Sequence, residues 1–323
     1  MRAVICERYD GIDALRIGEL PDPEPGRDEV VVRMEAATVN FADSLVVSGQ
    51  YQVKPELPFT PGSEFAGSVT RPDGEGVFEQ GDRVVGYIGF GAMAEQVVTH
   101  RHNLTRLPDG VSFETGAAIP VAYGTAYHAL TDRARIEPEE TLLVLGAAGG
   151  VGMAAVQIGK KLGAKVIAAV SSEPKEAAVR EAGADEVIRY DMTPLRDGVT
   201  ALVGGAGLDV VFDPVGGDVT EPALRSTGWN GRLLVIGFAS GQIPSIPLNL
   251  NLVKGNSVVG VFWGRFNLEE PERSAANNAQ IMGWVVDGSL SPVVQRAFPL
   301  SETAQAMHWV ADRQAIGRVV VTP

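Results

Sequence analysis

From Thr141 onward the chain alternates short apolar runs with longer helix-like ones. The short runs fall at 141–145, 165–170, 186–189, 209–212, 232–236 and 257–262, and several are apolar at nearly every position. That is the pattern of parallel strands covered by helices on both faces. The intervening runs predict helices at 151–162, 174–182, 194–203 and 219–227, with another at 125–135 leading into the first strand. Six strands alternating with helices predict an α/β unit with a six-stranded parallel sheet of the dinucleotide-binding type.

Residues 1 to about 120 have another texture. Short β-branched runs at 29–33 and 83–87 are separated by turn clusters at 21–26 and 71–76, which predicts a small β-barrel-like domain. After about 265 the pattern becomes helices at 271–287 and 302–313 and a strand at 318–321. This tail has too little apolar surface to fold alone. The expected division is therefore a discontinuous β-rich domain, 1–122 with 266–323, around an α/β domain, 123–265.

A length of 323 residues agrees with two domains. A net charge of −13 disfavours nucleic-acid backbones and anionic membranes as partners. The single cysteine, Cys6, excludes an intrachain disulfide and fits a reducing compartment. The opening residues read as a strand instead of a signal peptide, and no run reaches the roughly 18 apolar residues of a membrane span. The expected location is cytoplasmic.

The chemistry is carried first by the glycine cluster at 146–152, which follows the first parallel strand and opens a helix. The G-x-G-x-x-G spacing appears as Ala147-x-Gly149-x-x-Gly152, with the first glycine replaced. Such a turn brings bare backbone N–H groups and the positive end of a helix to a pyrophosphate. Ala148, Gly149, Gly150, Val151 and Gly152 are the candidate contacts.

Five further segments join this loop: Val39-Asn40-Phe41-Ala42-Asp43, Ser48-Gly49-Gln50-Tyr51, Pro61-Gly62-Ser63-Glu64-Phe65-Ala66-Gly67, Gly81-Asp82-Arg83-Val84 and Asp213-Pro214-Val215-Gly216-Gly217. Taken together and in this order, they resemble the medium-chain dehydrogenase/reductase superfamily, and within it the zinc-free quinone oxidoreductase (zeta-crystallin-like) branch. The resemblance implies a GroES-like catalytic domain, a Rossmann domain and a homodimer formed through Rossmann edge strands, here 257–262. It also implies that Thr125, Gly237, Phe238, Phe262 and Trp263 line the nicotinamide, and that Asn40 and Tyr51 contact substrate while Asp43 orients them.

Zinc-dependent relatives carry a cysteine near Phe41 and a histidine before Glu64. This chain has Ser63 there, and its one cysteine lies elsewhere, so no catalytic zinc is expected. The second parallel strand ends at Ser171-Ser172 with no carboxylate at its tip. Hydroxyls there, with Lys175 close behind, favour the 2′-phosphate of NADPH over NADH, although Glu173 opposes it, and the resemblance implies that Tyr190 frames that phosphate.

Without a metal to polarise a carbonyl, quinones and α,β-unsaturated carbonyls are the expected acceptors, because hydride addition to them leaves a delocalised anion. Leu45 replaces a tyrosine common in quinone oxidoreductases, which makes the pocket more apolar. Two alternatives stay open: an enoyl-thioester reductase acting on an acyl-CoA-like substrate, and a non-catalytic NADPH-binding protein.

Overall fold

A computed structural model describes all 323 residues, Met1 to Pro323. Contacts gather them into two units, Met1–Val121 with Pro292–Pro323, and Ala122–Ser291. Residues 266–291, expected with the first unit, lie in the second. The reason is visible in the helix Pro271–Val286. Its Arg273 and Asn277 side chains bond Asp132, and its Trp284 ring lies 5.5 Å from that of Tyr127.

The first unit is built on a seven-stranded sheet in the order Val294–Pro299, Arg318–Thr322, Glu29–Val39, Glu64–Arg71, Arg83–Tyr87, Leu104–Arg106, with Gln96–His100 also paired to Glu29–Val39. The 11-residue strand Glu29–Val39 is its spine. One of its edges is shared: residues 29–33 pair with Gln96–His100, and residues 37–39 pair antiparallel with the returning strand Arg318–Thr322. The core beneath them is Val30, Val32, Met34, Phe65, Val84, Phe298, Val319 and Val321. The returning strand therefore completes this unit, as the small apolar content of the tail implied.

The second unit is a parallel sheet in the order Glu186–Arg189, Lys165–Val170, Thr141–Val144, Leu208–Asp213, Thr227–Val235, Ser257–Gly260. Its first strand lies mid-sheet and the chain reverses direction beside it, which places ligands at the carboxyl ends of the strands on either side. The fifth strand starts at Thr227, five residues earlier than expected. The register jumps from Leu208 opposite Thr227 to Val210 opposite Arg232, so residues 228–231, with Asn230 at φ 59°, bulge out of the pairing. The edge strand stops at Gly260 because a helix, Trp263–Glu269, begins almost at once. The helix expected at 125–135 is an α-helix, Pro120–Tyr127, that continues as a π-helical turn, His128–Ala134, and ends at Arg135 with φ 50°. No helix is long and apolar enough to cross a membrane.

Candidate active site

In the second unit the apolar strand Thr141–Val144 ends in a turn at Gly146, whose φ is +55°. The left-handed residue of the loop is thus Gly146 and not the position of Ala147, which is fully buried with its N–H on Ala169 O at 3.2 Å. Gly149 caps the helix Gly150–Lys161 without any side chain in the way. Gly152 faces back into the turn. A Cβ there would sit 2.3 Å from Gly146 O and 2.8 Å from Ala147 Cα, closer than nonbonded atoms approach, so only glycine lets the helix come this near the strand. The replaced first glycine costs nothing because its neighbour supplies the turn.

The next two strands finish side by side. Tyr190 N donates to Val170 O at 3.1 Å, so Tyr190 stands level with Ser171 and Ser172. Lys175 lies in the first turn of the helix Glu173–Glu181 that Ser172 precedes. On the other side of the first strand, Asp213 is 3% exposed and organises the following turn. Its Oδ1 accepts from Val215 N and Gly216 N, both at 2.9 Å, and its Oδ2 accepts from Thr220 Oγ1 at 2.6 Å. Gly216, with φ +68°, lets this turn press on Phe238: a Cβ there would lie 2.8 Å from the Phe238 ring. Gly237 and Phe238 are thereby fixed at the end of the fifth strand. Thr125 sits on the helix Pro120–Tyr127, one residue after Gly124, whose missing side chain admits the indole of buried Trp263. Phe262 beside it is 54% exposed.

In the first unit Asn40 precedes the helix Phe41–Val47, and its N–H is capped by Asp43 Oδ2 at 2.7 Å. The reach back from the third helical position fixes where this helix starts. The Asn40 side chain turns the other way: Nδ2 donates to Glu64 Oε1 at 2.9 Å and, at 3.4 Å, to Ser63 Oγ. Glu64 has no exposed surface. Its Oε2 accepts from Val121 N at 2.7 Å, and its Oε1 also takes the Arg318 guanidinium, itself 5% exposed. Tyr87 is the cross-strand partner of Glu64. Tyr51 is half-buried and packs against Cys6, Val46, Val47 and Phe59. The structure thus brings Asn40 and Asp43 into one buried polar network and leaves Tyr51 on its apolar flank. Ser63, in the position where zinc-dependent relatives carry a histidine, accepts from Asn40 and so keeps its own hydroxyl proton to give. No group of three His, Cys, Asp or Glu side chains is placed to hold a metal.

Glu64, Arg318 and Tyr87 were not among the expected site residues. The available signal was a lone charge at the start of an apolar strand, Glu64 before Phe65-Ala66 and Arg318 before Val319-Val320-Val321. Nothing in sequence joins two such charges 254 residues apart.

Burial dominates the electrostatics. It pushes the Asp43 carboxyl up to about 7, with the charge of Glu64 adding and the Asn40 N–H opposing. Burial also raises the Glu64 carboxyl against the pull of Arg318, and pushes the Tyr87 phenol up to about 12. A carboxyl with a higher pKa folded than unfolded makes no difference while both states are protonated, destabilises the fold increasingly as the unfolded chain ionises first, and costs a constant amount once both are ionised. Wild-type stability to denaturant is therefore expected to fall between about pH 4 and about pH 7, and Asp43→Asn to flatten part of that fall. Equal slopes in the two proteins would remove Asp43 as a source.

The chain matches the family Alcohol dehydrogenase GroES-like domain over residues 26–109 and the family Zinc-binding dehydrogenase over residues 150–278. It is 39% identical over 323 residues to Quinone oxidoreductase-like protein 2 of Rattus norvegicus, covering 99% of this chain and 92% of that one. It is 32% identical over 311 residues to Quinone oxidoreductase of Homo sapiens, covering 95% and 92%. Among solved structures, Escherichia coli quinone oxidoreductase complexed with NADPH superposes with a TM-score of 0.92 at 28% identity, covering 100% of both chains.

Proposed function

This chain belongs to the zinc-free quinone oxidoreductase branch of the medium-chain dehydrogenases and reductases, with a GroES-like domain and a Rossmann domain, and from that premise we propose that it reduces quinones or α,β-unsaturated carbonyls with NADPH. The coarser statement, an NADPH-dependent oxidoreductase, has the support of its quinone oxidoreductase relatives and of their NADPH-complexed structures. The observation that carries the reading is the seat of Gly152 against Gly146, which bares a helix N-terminus at the end of the first strand.

When bound, NADPH supplies the hydride. The chain's own residues do the rest. N–H groups of Ala148, Gly150, Val151 and Gly152 hold the pyrophosphate, Gly149, whose own N–H is spent on Gly146 O at 3.0 Å, leaving the approach bare, while Ser171, Ser172, Lys175 and Tyr190 surround the ribose and its 2′-phosphate. Thr125, Gly237, Phe238, Phe262 and Trp263 keep the ring flat and dry. In the first unit, Tyr51, Asn40 and the hydroxyl proton of Ser63 contact the acceptor, and donors there stabilise the anion that forms on its oxygen. Asp43 and Glu64 hold Asn40 in place from behind. Overall, a quinone, a hydride and a proton give a hydroquinone.

The test is turnover by metal-free protein with NADPH and with NADH on naphthoquinone, a simple enone and crotonyl-CoA. Reduction of the first two supports the reading. Turnover confined to crotonyl-CoA would make it a thioester reductase, and tight NADPH binding with no turnover would make it a binding protein. Ser257–Gly260 is paired on one side only and exposes Val258, which supports a homodimer through that edge. Sedimentation as a monomer at micromolar concentration would count against it.

A further inference from the structure

The arginine Arg196, beyond Tyr190 in the second unit, has no carboxylate partner. Beyond Tyr190 opens a cavity of about 660 Å³, lined by Tyr190, Arg196, Gly217, Asp218, Arg225 and Ile243 among others. Arg196 is exposed and lies in the first turn of the helix Leu195–Val203, whose N-terminus no side chain caps. The other arginines around this end of the sheet are neutralised. Arg189 is held by Asp191 at 2.7 Å and Glu176 at 3.6 Å, and Arg225 by Glu221 at 2.6 Å. No carboxylate lies within 4.0 Å of the Arg196 guanidinium. The neighbourhood is positive enough that the Lys254 ammonium, pushed down first by burial, is lowered further by Arg196 and Arg225. In a chain of net charge −13 this is an unusual place to leave a guanidinium unpaired.

At the tip of the second strand Lys175 shares its helical turn with Glu173, which opposes a phosphate there, while Glu176 is paired with Arg180 at 2.9 Å and Arg189 at 3.6 Å. The hydrogen bond from Tyr190 N to Val170 O ties the cavity wall to that tip, so a group held by Ser171 and Ser172 stands beside Tyr190, which lines the same cavity as Arg196. Asp218, the other unpaired charge of the cavity, follows the strand Leu208–Asp213, which is separated from Lys165–Val170 by Thr141–Val144.

We propose that Arg196 is the residue that selects NADPH over NADH, its guanidinium closing on the 2′-phosphate from the Tyr190 side. The proposal rests on the reading of this chain as an NADPH enzyme. It goes beyond the Ser171, Ser172, Lys175 and Tyr190 set in naming the group that supplies the charge. Arginine suits the role because its planar fork meets two phosphate oxygens at once and stays charged at any working pH.

The test is titration of metal-free protein with NADPH and separately with NADH, followed by ligand fluorescence, in wild type, Arg196→Gln, Arg196→Lys and Lys175→Gln. Wild type is expected to bind NADPH at least about tenfold tighter than NADH, the size of one charged hydrogen-bond pair. Arg196→Gln should abolish that margin by weakening NADPH alone, and Arg196→Lys should restore part of it. If wild type shows the margin and Arg196→Gln keeps it, Arg196 is not the selector and the NADPH reading stands; if Lys175→Gln then erases it, Lys175 is. If wild type shows no margin, the NADPH reading falls and this proposal with it.

Discussion

Arg318→Met is expected to lower the free energy of unfolding by about 3–5 kcal/mol near pH 8, the usual cost of leaving one member of a buried ion pair alone. Glu64 would remain fully enclosed with only Asn40 Nδ2 and Val121 N as partners. Since burial already raises the pKa of Glu64, losing the cation raises it further, so the deficit should shrink toward acid pH, where the carboxyl is neutral in both states. Adding Glu64→Gln to Arg318→Met removes the stranded charge and should recover much of the loss. Urea unfolding of the two single variants and the double variant, at acid and alkaline pH, checks this. A double variant no better than Arg318→Met would mean that the pair matters for packing and not for charge.

Gly152→Ala is the second large effect. The new methyl would meet Gly146 O at 2.3 Å, and that atom is backbone, so relief requires the turn or the helix to move. Overpacking of this kind costs about 1–3 kcal/mol of stability. The larger loss is expected in NADPH affinity, at least about a hundredfold, because every N–H aimed at the pyrophosphate shifts together. Gly283→Ala is the control. Its added methyl meets nothing within 4 Å on the helix Pro271–Val286, and it should gain a few tenths of a kcal/mol up to about 1 without touching affinity. A Gly152→Ala protein that binds NADPH normally would show that the loop does not hold the cofactor through its backbone.

Much of the second unit was legible, because covered parallel strands announce themselves as continuous apolar runs. Thr141–Val144, Lys165–Val170 and Glu186–Arg189 fall within a residue of expectation. The misses have local causes. The fifth strand was expected to start at Arg232, where its continuous pairing does begin; the earlier pair, Thr227 with Leu208, lies beyond a bulge at 228–231 that no hydrophobic pattern marks. The spacing rule pointed to Ala147 for the tight turn, whereas a positive φ belongs to Gly146, and no spacing rule reports φ. Asn40 was legible only as a polar residue of the motif Val39 to Asp43. That its amide is engaged inward by Glu64 was not, because the contact crosses from a helix cap to a strand 24 residues on.

The shared edge of Glu29–Val39 also bears on how the chain is made. Val39 is synthesised long before its partner Val319, and the whole of Ala122–Ser291 is translated in between. The second unit, continuous in sequence, can therefore close first, while the first waits with the C-terminal half of its spine strand unpaired on one side. During that interval Glu64 lacks its guanidinium and Val39 its neighbour, which exposes a sticky β edge to other nascent chains and to chaperones. Slow translation through the middle of the message lengthens this exposure, so the yield of folded protein should depend on the pace of synthesis there more than on the sequence of the second unit itself.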